Sequence, residues 1–221
     1  MAADLEDLVF KYFPALYYMA PMENAPLIAA IGILPYNAVH STLRALGIET
    51  KSIADTWVNR RRHTRVVGDK SLHDYVPLYW ATHTPMQYIA TEKEKKIEPD
   101  DLAFFLVESA QLRKIAGVWT TDGNAASTET VCCPGWGALP HLDFKILQTV
   151  NCFSKENKRK KAAEVLVPGG IPPAMIKTIC VRTNEGKARL EAKLQAVETV
   201  LKEKVPALQI PPVLTDCSLY Y

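Results

Sequence analysis

The run "DLAFFLVES" (Asp101–Ser109) does most to limit what this chain can become. It is continuously apolar between polar ends, too short for an independent helix and well matched to a buried strand. A buried strand needs neighbours, and the sequence supplies candidates. "AGVWTTDGNAAS" reads as a strand closed by the turn residues "DGN". "TVCC", "AEVLVP" and "IKTICVRT" read as further strands. "HDYVPLYWATHTPMQYIA" reads as a strand around Pro77 that enters a turn and then a short helix from Pro85.

Helical signals fall mostly before these strands. "ENAPLIAAIGIL" predicts a short helix capped by Asn24, with Pro26 in its first turn and Gly32 at its end. "HSTLRALG" predicts a helical turn ended by Gly47, and "SIADTWVNRRRHT" a helix at its centre that gathers arginines. "GKARLEAKLQAVETVLKEK" is the clearest helix, with Leu190, Leu194, Val197 and Leu201 on one face. "VPALQIPPVLT" reads as extended and packed. Pro134–Lys161 lacks a clear period and reads as a long functional loop with a helical piece. Short helices followed by strands predict an α+β fold with a mixed or largely antiparallel sheet. No βαβ alternation, GxGxxG or P-loop is present.

Composition narrows the function. The chain has 221 residues, enough for one large domain or two small ones, and 48% are hydrophobic. Its net charge is only +2, which excludes a wholly basic binder. The cations concentrate in "RRRHTR" (Arg60–Arg65) and "KENKRKK" (Lys155–Lys161). The five cysteines are scattered without a CxxC pair, which argues against zinc and a disulfide framework and for a reducing cytoplasm. The histidines have no metal-ligand spacing, so no metal is expected. "MAADLEDLVFKYF" is not a signal peptide, and no apolar stretch reaches the roughly 18 residues a membrane span needs.

Taken singly, the chemically interesting residues have ordinary readings. A lone Glu164 before "VLV" suits a surface charge, a basic run suits a solvated face, and paired tyrosines suit a core. Their order is the stronger signal. "YYMAPMENAPLIAAIGIL", "ADTWVNRRRHTRVV", "LHDYVPLYWATHTPMQYI", "TTDGNAAS" and "RKKAAEVLV" follow one another from about Tyr17 to Val181. This series resembles the DarT family of DNA ADP-ribosyltransferase toxins.

The resemblance implies a single ADP-ribosyltransferase domain over residues 1–221, with a split mixed sheet, short helices and an NAD cleft. It implies transfer of ADP-ribose from NAD to a base in single-stranded DNA, with release of nicotinamide. Glu164 falls on the family's catalytic glutamate. The family arginine, with a proton-acceptor role, falls on Arg61, with Arg62 one step along the register. Tyr18, Met19, Ala20, Leu27, Leu34, Arg61 and Tyr79 would hold NAD. Arg65, His83, Lys158, Arg159, Lys160 and Lys161 would hold DNA. Tyr75, Tyr79 and Trp80 would stack on the nicotinamide or the base. The segment from about His40 to Arg62 would fold over NAD, and that from about Gly117 to Glu164 would present the nucleotide.

Two positions depart from the family pattern. Tyr18 replaces a histidine and His83 an arginine. The retained arginine favours thymidine as the target. A guanosine-directed enzyme and a non-catalytic single-stranded nucleic-acid binder are the alternatives. The resemblance further implies a macrodomain antitoxin of the DarG kind as partner, and a monomer without membrane attachment.

Overall fold

The computed structural model describes residues 2–54, 56–151, 154–202 and 209–221. Helix α1 (Ala2–Tyr12) precedes strand β1 (Ala15–Pro21), helix α2 (Ala25–Ile31) and α3 (Tyr36–Ala38), which continues as a wider π-type turn over Val39–Leu43. Helix α4 (Thr56–Thr64) leads to a small hairpin, β2 (Val66–Val67) with β3 (Lys70–Ser71), then strand β4 (Tyr75–Tyr79) and helix α5 (Pro85–Tyr88). Strand β5 (Leu102–Glu108), helix α6 (Ser109–Leu112), strands β6 (Trp119–Thr121) and β7 (Cys132–Pro134), and helices α7 (Phe144–Gln148) and α8 (Lys155–Lys161) follow. Strands β8 (Glu164–Pro168) and β9 (Ile176–Val181), helix α9 (Asn184–Lys202) and strand β10 (Val213–Thr215) complete the chain.

The strands named in the sequence reading all form. They join one sheet in the order β10-β9-β5-β1-β4-β8-β6-β7, antiparallel except for the parallel β10–β9 pair. The middle of this sheet is its weakest point. β1 pairs with β5 over its whole length, and β4 with β8 over five positions, yet β1 and β4 meet only at Tyr17 and Tyr79. From that bridge the two halves diverge.

The backbone alternation shows what the divergence leaves open. The Trp80 N–H donates to the Ala163 carbonyl, so even-numbered residues of β4 point at β8 and odd-numbered ones at β1. Likewise the Ser109 N–H donates to the Pro14 carbonyl, so even-numbered residues of β1 point at β5. Met19 therefore turns its N–H and C=O into the split. Pro77, which has no N–H, sits where β4 has no β1 partner, so the ladder loses nothing there.

One face of the sheet carries the main core. Leu16, Val76, Leu78, Trp80, Phe105, Val165 and Val167 pack under α1, α2 and α9, where Leu190 and Leu194 are buried. The other face holds two smaller clusters, one around Met19, Tyr79 and Phe104, the other around Leu72, Tyr75 and Leu166. The site lies between them. Gly32 ends α2 at φ +88°, and a side chain there would collide with the Ile171 carbonyl.

Two expectations are corrected. Asn24 flanks α2 but makes no side-chain cap; its amide instead bonds both backbone groups of Lys51. Pro134–Lys161 is not a long loop, because Phe144–Gln148 and Lys155–Lys161 are helices capped by Asp143 and Ser154. Their short apolar faces leave little periodicity to read. The extended reading of the last segment falls partly on residues 203–208, outside the described residues, and ends in β10.

Candidate active site

Glu164 is the first residue of β8, directly across from Tyr79. It is 1% exposed. Its backbone N–H donates to the Thr121 hydroxyl at 2.9 Å, and that hydroxyl donates to the Gly123 carbonyl at 2.6 Å. Strand alternation puts the carboxylate on the cleft face, with Leu166, while Val165 and Val167 go to the main core.

The carboxylate has two partners. Arg62 Nη1 donates to both oxygens, at 3.2 Å to Oε1 and 3.0 Å to Oε2. The Ala125 N–H donates to Oε1 at 3.2 Å. Oε2 thus keeps acceptor capacity for a ligand hydroxyl. Burial works against the Arg62 charge, but Glu164 more than restores it, and the guanidinium is held above its ordinary value. Arg62 Nη2 is buried with no hydrogen-bond partner. Burial also raises the Tyr79 phenol, and Glu164 raises it further, so that side chain is neutral.

Of the two candidate arginines, Arg62 and not the favoured Arg61 is the one that meets Glu164. Neighbours on a helix point about 100° apart, so a slip of one residue changes the face. In α4, Arg62 turns to Glu164, while Arg61 Nη2 donates to the Ala126 carbonyl at 2.9 Å.

Two cavities meet at Arg62. The first follows the split between β1 and β4, and Tyr18, Met19, Ala20, Leu27, Leu34, Tyr79 and Arg62 all line it. Thr50–Ala54 cross it as a strap, tied down by the two Asn24–Lys51 bonds and a Lys51–Glu23 ion pair of 2.7 Å. The second cavity lies beyond Arg62 and is lined by Glu164, Arg61, Lys93, Lys96, Ile89 and Asn124, among others. Ile53, Val58, Arg62, Tyr79 and Met86 line both. Reactants in the two cavities would meet beside Arg62, with Glu164 on the side of the second.

The basic segment behaves differently from its expected use. Lys161 is 1% exposed, and its ammonium donates to the carbonyls of Leu147 and Thr149 at the end of α7. Arg159 is half-buried between Asp122 (2.9 Å) and Glu156 (2.8 Å). Lys160 pairs with Asp143 at 3.2 Å. Arg159 and Lys161 are thus engaged within the protein: Arg159 braces the loop that carries Ala125, and Lys161 the end of α7. Gly123 lets that loop press on α8, since a side chain there would reach 2.9 Å from the Arg159 carbonyl. Lys158 is exposed.

Of the other expected contacts, His83, Arg65 and Trp80 line neither cavity. His83 lies 2.9 Å from the Tyr220 carbonyl through Nε2, and the Tyr221 hydroxyl donates to the His83 carbonyl, so this histidine holds the last residues of the chain. Arg65 lies against the Cys132 thiol. Trp80 faces the main core and cannot stack on a base, because it sits one residue out of phase with Tyr79. Tyr75 lines the first cavity, with its hydroxyl donating to the Val67 carbonyl. The sequence reading missed Ala125, Ile53 and Met86. Met86 belongs to the "THTPM" block, but Ala125 acts through a backbone N–H that no side-chain pattern reveals. Among the described residues, no three of His, Cys, Asp and Glu gather as a metal site.

A sheet split at one bridge, with a buried glutamate at the mouth of the split, is the ADP-ribosyltransferase architecture that the sequence implied. The family model described as "ssDNA thymidine ADP-ribosyltransferase, DarT" matches residues 17–208, and the chain belongs to that family. A fusion protein of Thermosipho africanus, a DNA ADP-ribosyl transferase joined to a DNA ADP-ribosyl glycohydrolase, is 30% identical over 83% of this chain. The match covers 46% of that relative, so the chain spans about half its length. A DNA ADP-ribosyl transferase of Thermus aquaticus is 29% identical over 98% of this chain and 93% of its own. Among solved structures, Thermosipho africanus DarTG in complex with ADP-ribose superposes with a TM-score of 0.78 at 24% identity, over 95% of this chain and 51% of that one. Thermus sp. 2.9 DarT in complex with ADP-ribosylated ssDNA gives 0.77 at 21% identity, over 95% and 97%. Both likenesses bear on the fold.

Proposed function

We propose that this protein transfers ADP-ribose from NAD to thymidine in single-stranded DNA and releases nicotinamide. The observation that carries this reading is the buried Glu164–Arg62 pair at the junction of two cavities. The first cavity suits NAD. The Met19 N–H and C=O, open in the split, match the acceptor and donor of a carboxamide. The orphaned Arg62 Nη2 is a donor that a ligand oxygen would satisfy.

NAD supplies the electrophilic ribose carbon. As its bond to nicotinamide breaks, positive charge grows on the ribose, and the buried carboxylate of Glu164 stabilises it while accepting a ribose hydroxyl. Arg62 remains protonated, so it acts by polarising the base rather than as an ordinary general base. The thymine ring approaches through the second cavity; as its N3 bonds the ribose carbon and the bond to nicotinamide breaks, the N3 proton passes to solvent water. A base can reach this recess only when unstacked, which favours single-stranded substrate. Lys93, Lys96 and Arg61 line that cavity and, with exposed Lys158, are the cations suited to the DNA backbone.

The family description names thymidine, and that favours it over guanosine. The glycohydrolase half of the Thermosipho fusion supports a macrodomain antitoxin partner in a cytoplasmic toxin–antitoxin pair. We further assign a monomer. No helix among the described residues is long and apolar enough to cross a membrane.

The test is incubation with NAD and oligonucleotides, followed by mass spectrometry of the modified nucleoside. A thymidine–ADP-ribose adduct with equimolar nicotinamide is expected. No adduct on any DNA would sink the reading, and an adduct on guanosine would replace the base.

A further inference from the structure

His73 lies in a 3-10 turn (Leu72–Asp74) that feeds β4, and it lines the first cavity at the end far from Glu164. β4, from Tyr75 to Tyr79, separates this turn from the position opposite Glu164 by about 13 Å of backbone at a strand's rise per residue. It is 4% exposed, and neither ring nitrogen has a hydrogen-bond partner. Tyr36 packs on it at 4.2 Å between centroids, and His40 packs on Tyr36 at the same distance. Two unsatisfied nitrogens in a buried wall are costly, and native proteins rarely keep such groups without a use. Nearby, Asn37 is already bonded to Asp74, and Ser71 caps the turn, so neither serves the ring.

From this placement, and resting on the NAD reading of the cavity, we propose that His73 is a co-substrate contact that hydrogen-bonds the adenosine half of NAD. The carboxamide is matched by the Met19 backbone at the other end of the split. The pyrophosphate calls for a cation, and Lys51 and Arg62 both line this cavity. What remains of the dinucleotide is the uncharged adenine edge and its ribose, which suit an uncharged imidazole beside the Tyr36 and His40 rings. Burial and the neighbouring Arg62 hold His73 at a pKa of about 4, so it meets its ligand as the neutral ring.

The test compares wild type, His73→Phe and His73→Asn by calorimetric titration with NAD, ADP-ribose and nicotinamide. His73→Phe fills the wall without polar atoms; His73→Asn keeps a donor and an acceptor. For His73→Phe, binding of NAD and ADP-ribose weakens about fivefold to tenfold, nicotinamide binding is unchanged, and ligand-free thermal stability is equal or higher. His73→Asn recovers part of the loss. If wild type binds NAD and His73→Phe binds NAD and ADP-ribose equally well, the inference falls while the cavity assignment stands. Weakened nicotinamide binding with intact ADP-ribose binding would also overturn it. If wild type binds neither NAD nor ADP-ribose, the NAD reading itself fails, and this inference with it.

Discussion

Glu164 and Arg62 hold each other in place, so their removal has two costs. Losing one member of a buried pair leaves an uncompensated charge, worth about 3–5 kcal/mol. Glu164→Ala is therefore expected to abolish transfer and also to lower the thermal midpoint, so the carboxylate is not a group that can be removed with the fold untouched. Glu164→Gln keeps the shape and some of the bonds. It should retain most of the stability while nicotinamide release falls at least about 100-fold, the scale of a lost electrostatic stabiliser. For the arginines, Arg62→Ala should suppress nicotinamide release far more than Arg61→Ala does; equal losses would return the role to both. Glu164 was legible because it opens a strand at the end of an ordered series of motifs. Arg62 was not separable from Arg61, because in "NRRRH" the spacing is identical and only the helical phase distinguishes them.

At the scale of elements, α8 and the strap do different work from what their composition suggests. In α8 the cations divide by facing: Lys158 points out, while Arg159 ties the Asp122–Ala126 loop, and Lys161 the end of α7, to α8. Arg159→Ala should then destabilise the protein by about 3 kcal/mol in urea unfolding, whereas Lys158→Ala should stay within about 0.5 kcal/mol and weaken only DNA binding. A run of four cations gives no hint of this division, because facing depends on partners distant in sequence. The strap over the first cavity rests on Asn24, two hydrogen bonds each worth about 1 kcal/mol. Asn24→Ala should raise KM for NAD about threefold to tenfold with kcat nearly unchanged, and a loss confined to kcat would contradict the strap's role. The sequence marked Asn24 as a helix cap, a fair reading of its position, but the side chain bonds a segment 27 residues away.

For the whole molecule, acid should be a specific weakness. His73 has a native pKa of about 4 against an ordinary 6.5, lowered first by burial and then by Arg62; His63 and His40 lower it further and Asp74 opposes. Between those values the unfolded chain binds a proton that the native chain refuses. This contribution to stability is therefore complete above pH 6.5 and is lost as pH falls towards 4, by about 3 kcal/mol. Urea unfolding near about pH 4.5 and about pH 7 should show a smaller acid loss in His73→Phe than in wild type. The α+β class and most strands of the large sheet could be read from local patterning, since runs such as "DLAFFLVES" carry their own burial signal, but β1 was not among them. That β1 and β4 touch at one bridge could not, because pairing is a long-range property of strands nearly sixty positions apart. That bridge has a further consequence. An open sheet has two borders, and this one acquires two more in its interior, along β1 and β4. Exposed borders of that kind invite foreign strands to add on and seed aggregates. Pro77, which cannot donate to an intruder, and the strap laid over the opening leave the gap wide enough for a nucleotide yet ill suited to another β-strand.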